Sequence, residues 1–92
     1  MNKKLVLECK NSDGLTGFNY SHAGYWKAYV YFGQTTSLEC ANACMQGCVA
    51  IEVFATASMA QKCYHYKNKE DITDANKVPD NDGIHSKAYI KC

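Results

Sequence analysis

From Thr36 to Cys63 the chain reads TSLECANACMQGCVAIEVFATASMAQKC, and the spacing of its apolar positions changes partway through. Nothing between Ser37 and Met45 breaks a helix. Thr36 with Glu39 forms a T-x-x-E capping box, in which each side chain satisfies an orphan amide at the helix start. Gly47 follows where a left-handed residue closes a helix. Residues 49–54, VAIEVF, are short, apolar and β-branched, and they predict a strand; a second strand-like run opens at Cys63 and continues to Tyr66. Upstream, Leu5, Leu7 and Cys9 alternate with Lys4, Val6 and Glu8, which predicts a first strand ending in turn residues at 11–14. Residues 25–32, YWKAYVYF, predict the second strand. A long polar stretch, 67–83, carries the single proline; within it 70–77 predicts a helical turn or two and 79–83 a turn. Residues 84–92, IHSKAYIKC, predict the closing strand. The order is strand, strand, helix, strand, strand, long loop, strand. It predicts an α+β fold in one domain spanning 1–92: an antiparallel sheet of about five strands with one central helix packed on one face.

Ninety-two residues bring a hydrophobic core of marginal size, and six cysteines in so short a chain read as a disulfide framework from an oxidising compartment. Cys40 and Cys44 are i, i+4 neighbours on one face of the helix. Cys40, Cys44 and Cys48 lie four apart, which departs from iron–sulfur loop spacing, and no CxxC pair of the zinc kind occurs, so no metal is expected. Six cysteines allow 15 pairings, and spacing does not choose among them.

Net charge is +1, and all ten basic residues are lysine. That balance leaves no footprint for nucleic acid, and without arginine the bidentate clamping of phosphate or sulfate is missing. No transmembrane run is present, so membrane insertion is not expected. MNKKLVLECK imitates the opening of a signal peptide, but its apolar run stops at Leu7, and the chain reads as an excised domain. The turn around Asp80-Asn81-Asp82-Gly83 does not supply the ligand positions of a calcium loop. His22, His65 and His85 lie in separate segments, with no motif joining them to a serine or a carboxylate. Neither catalysis nor a cofactor is expected. Asn19-Tyr20-Ser21 is a glycosylation sequon in what reads as a loop.

Residues 18–32 carry seven aromatics, which either fill a core short of aliphatic side chains or stack on a ligand. Alternation in the strand after Cys63 sets Cys63 and His65 toward the helix and Tyr64, Tyr66 and Lys62 on the opposite face. With Trp26, these define the candidate ligand-binding set Trp26, Lys62, Tyr64 and Tyr66, an aromatic surface flanked by lysine. The competing expectation is that residues 67–83 or 18–24 cover it.

Ser37–Tyr64, as S-L-E-C-A-N-A-C…C-V-A-I-E-V-F…K-C-Y, flanked by Cys9 and Cys92, resembles the PAN/apple domain family. The resemblance covers nearly the whole chain and implies a central helix held to an antiparallel sheet. It implies the pairs Cys9–Cys92, Cys40–Cys63 and Cys44–Cys48, worth roughly 4–5, 3 and 2 kcal/mol in loop entropy. It further implies a secreted or extracellular, non-catalytic binding or adhesion module for a glycan or an extracellular protein, suited to a larger modular chain. The alternative is a secreted single-domain inhibitor that blocks a host receptor or matrix protein.

Overall fold

A computed structural model describes residues 9, 11–54, 61–79 and 86–92. The strand expected over 5–9 lies outside these residues except for Cys9, as do His85 and the DNDG turn. Among the described residues the elements are β1 (Phe18–Trp26), β2 (Val30–Thr35), α1 (Ser37–Asn42), β3 (Ala50–Phe54), β4 (Gln61–Tyr66), β5 (Lys77–Pro79) and β6 (Ser86–Lys91). They make a small, disulfide-rich domain with a six-stranded sheet in the order β2-β4-β3-β6-β1-β5 and one short helix. Every pairing is antiparallel.

The capping box forms as the sequence predicts. The Thr36 hydroxyl accepts from the Glu39 amide, and the Glu39 carboxylate accepts from the Thr36 amide. The helix is shorter than expected, ending at Asn42 with Ala43 as its cap. Lys91 closes that end, its ammonium donating to the Cys44 and Met45 carbonyls at 2.7 and 3.1 Å. A cation there meets the negative end of the helix dipole. The disulfides join Cys9 to Cys92, Cys40 to Cys63 and Cys44 to Cys48. Cys40 and Cys63, both fully buried, fix the helix to β4.

Residues 25–32 are not one strand. Tyr25 and Trp26 end β1, Lys27 and Ala28 turn, and Val30 opens β2, which runs on beside β4 rather than beside β1. Flat, the sheet would place β1 and β2 four strand spacings apart, roughly 19 Å. The four steps from Trp26 to Val30 reach at most about 14 Å. The sheet therefore curls until the end of β1 stands over its own neighbours. On the other side of β1, Gly24 permits a close approach to β5: its φ is +141°, and a Cβ there would lie 2.1 Å from the Val78 carbonyl oxygen.

Two bulges set which side chains face which way. In β1 the register shifts between Tyr20 and His22, so Tyr20 shares a face with Tyr89 and His22 shares the other with Ala88. Phe18 and Trp26, eight residues apart and of equal parity, consequently enter different cores. Phe18 joins Leu15, Ile51, Val53, Tyr89 and the cysteines Cys40, Cys44, Cys48 and Cys63 on the helix side. Trp26 joins Ala50, Tyr66 and Ala88 on the opposite side, with Val49 and Ile72 packed against them. In β2 the register shifts between Tyr31 and Gly33.

Candidate functional site

The face away from the helix divides in two. Its inner half is closed. Tyr66 is fully buried, and its hydroxyl accepts from the Trp26 amide at 2.9 Å and donates to the Trp26 carbonyl at 3.0 Å. Ala50 and Ala88, both fully buried, leave the room that lets the Tyr66 ring lie across the sheet. A flat sheet would separate β4 from β1 by three spacings, ~14 Å, beyond the reach of a tyrosine, so this bond is a consequence of the curl. Burial foremost, with the negative charge of the Glu52 carboxylate adding to it, holds Tyr66 far above the usual phenol range, although the Trp26 backbone pulls the other way. The Trp26 indole N–H is buried with no acceptor among the described residues.

Trp26 and Tyr66 therefore leave the expected ligand-binding surface: both are core residues, and Ile72 of the 67–83 stretch covers them. Lys62 and Tyr64 stay outside. Tyr64 is half-buried and stands at the centre of an aromatic group that the sequence reading did not assemble. Tyr29 meets it edge-on at 5.0 Å between centroids, Tyr31 tilted at 5.4 Å, and Phe54 edge-on at 6.1 Å. Tyr25 extends the row through Tyr29 at 5.6 Å, and the Lys62 ammonium lies 5.9 Å over Phe54. The register explains the assembly. Tyr31 pairs directly with Tyr64, so the two rings share a face, while Tyr29 comes from the short link that curls the sheet. Burial foremost, then Glu52, Tyr29 and Tyr31, raise the Tyr64 pKa, so its hydroxyl stays protonated at neutral pH.

Glu52 was also missed. It sits inside the apolar run VAIEVF, pairs with Tyr64 in register and is buried. The visible signal was its parity, opposite to Ile51 and Val53.

On the helix side, His65 is buried; its Nε2–H donates to the Cys40 carbonyl at 3.1 Å, and Phe32 stacks on the ring at 4.5 Å. Burial lowers its pKa against the effect of that carbonyl. Cys40, Cys63 and His65 bring three metal-ligand atoms within 4.8 Å of one another, but the two sulfurs are bonded together. His22 has Nδ1 2.8 Å from the Ser21 hydroxyl, Nε2 3.1 Å from the Tyr25 carbonyl, and its ring edge-on to Trp26 at 4.9 Å. Asn19 lies within β1 rather than in a loop, beside the end of the chain, with its amide 3.5 Å from the Cys92 sulfur.

The outer edge is the most exposed part of the group. Tyr29, Val30, Tyr31 and Phe32, four consecutive large apolar residues, are each about half exposed, at 48, 50, 53 and 49%. No helix of the described residues is long and apolar enough to cross a membrane. No protein-family model, curated protein or solved structure matches this chain.

Proposed function

We propose that this chain is an extracellular, non-catalytic binding module of the PAN/apple type, and that it docks a protein partner through the Tyr29–Phe32 edge and the Tyr64 group behind it. Three intramolecular disulfides are consistent with an oxidising, extracellular setting. The cysteine pairs and the helix on an antiparallel sheet support the family reading.

The observation that carries the docking surface is the contrast between the two edge strands. β5 is three residues long and bears Lys77 and Pro79, the ordinary means of discouraging strand-to-strand contact. β2 carries VYFGQT, with no charge and no proline. An edge that no other described strand pairs, with half-exposed rings, is costly on a free domain and fits a surface that meets a partner. Tyrosine supplies large, rigid, amphipathic contact area and is enriched at protein interfaces. Breadth favours protein over sugar: apolar side chains stand out on both faces of β2, whereas a sugar site needs one or two stacking rings beside a few donors. The glycan reading rests on Tyr29, Tyr31 and Lys62, ring faces with a donor beside them.

The labelled domain should bind extracellular matrix or intact cell surfaces saturably, and Tyr29→Ser/Tyr31→Ser should abolish the signal without altering the circular dichroism spectrum. Protease-sensitive binding that survives deglycosylation supports protein docking. Binding lost on deglycosylation and reproduced on a glycan array assigns the site to carbohydrate instead. Saturable binding that the double variant retains removes this edge from consideration.

A further inference from the structure

At the other end of the strands from Phe54 and Lys62, a cavity of about 380 Å³ opens between the sheet and the 67–79 stretch. Its apolar wall is Val49, Ile72 and Ile90, and its rim carries Lys69, Lys91 and Cys92. The four steps of β3 from Ala50 to Phe54 separate it from the aromatic group by roughly 13 Å, so the two sites are distinct. We infer that this cavity binds a small amphiphilic anion, an apolar chain ending in a carboxylate.

The volume lies in the range of small-molecule sites, about 300–1,000 Å³. The floor is built rather than incidental: Val49 and Ile72 pack against the Trp26–Tyr66 core, so the apolar wall continues a rigid interior. Two neighbouring bonds hold the walls in place. The Val49 amide donates to the Tyr66 carbonyl at 2.8 Å, and the Lys91 amide donates to the Val49 carbonyl at 2.9 Å. The charges select the head group. Lys69 and Lys91 are the charged residues of the lining, and among the described residues it holds no aspartate or glutamate. Lys91 is committed to the Cys44 and Met45 carbonyls, so Lys69, exposed on its own turn, is the cation free to close on a ligand. An apolar chain gains by covering Ile72 and Ile90, and its carboxylate gains by meeting Lys69 at the rim.

Decanoate, titrated into the protein below its micelle concentration, tests this through Trp26 fluorescence and backbone amide shifts. The expected result is one saturable site, with shifts centred on Val49, Ile72 and Ile90. Lys69→Glu should weaken decanoate at least tenfold and Lys69→Met severalfold, while decanol binds more weakly and is indifferent to both variants. Lys69 is exposed, so both variants should keep the wild-type melting temperature. No saturable shift, shifts centred on Tyr64, or decanoate affinity unchanged in Lys69→Glu would each overturn the inference.

Discussion

Replacing Tyr66 by phenylalanine removes one oxygen and tests whether the curl of the sheet is held as described. The ring keeps its place: it stands edge-on to Trp26 at 5.2 Å, with Ala50 and Ala88 beside it. What is lost is the acceptor for the Trp26 amide and the donor to the Trp26 carbonyl, at 2.9 and 3.0 Å. A buried backbone group left without its partner costs about 1–3 kcal/mol. Two such groups, each in the lower half of that range, bring roughly 2–4 kcal/mol. Against a domain stability of about 5–15 kcal/mol the loss is severe, and at about 4–8 °C per kcal/mol it lowers the melting temperature by about eight degrees or more. Urea unfolding without reductant, followed by Trp26 fluorescence, reads it directly. Tyr64→Phe is the control; its ring is half-buried, and the change should stay within about 0.5 kcal/mol. A Tyr66→Phe loss below about 1 kcal/mol, or equal to the control, would show that the Trp26 backbone finds other partners and that this phenol does not hold the curl.

Gly24→Ala should destabilise by about 3 kcal/mol or more, because it adds backbone strain at φ +141° to a collision with Val78; a melting temperature within two or three degrees of wild type would refute the close approach of β1 to β5. Stability should also fall between pH 7 and 5. Burial lowers the pKa of both His22 and His65, so each takes up a proton on unfolding; their contribution is complete above about pH 6.5 and declines below it. His22→Asn/His65→Gln should flatten that slope in urea titrations, and a wild-type protein that gains stability on acidification through this window would contradict the assignment. Below it, the Asp13 carboxylate, lowered mainly by its hydrogen bond from Tyr89 and also by Lys87, adds stability that is present above about pH 4 and lost as pH falls further.

Local chemistry determined what short-range forces can determine. Thr36 and Glu39 wrote the helix start, VAIEVF wrote β3, and Asn11 wrote a turn, its carboxamide accepting from the Asp13 and Leu15 amides. Each of these involves partners a few residues apart, so the residue types carry the answer. Alternation also placed Cys63 and His65 correctly against Tyr64 and Tyr66, because β4 has no bulge. The candidate site was only half legible for the same reason in reverse. The extra residue near Ser21 reversed the parity of β1 and moved Trp26 from the core that Phe18 enters to the opposite one, and no signal in FNYSHAGYW announces where a bulge falls. The break of YWKAYVYF into two strands was equally silent, since Lys27 and Ala28 are weak turn formers and the turn is imposed by where β2 must pair. Which tyrosines are buried followed from the curl. The curl comes from a three-residue link and from pairings between residues dozens of positions apart, and such long-range distances belong to the tertiary structure alone.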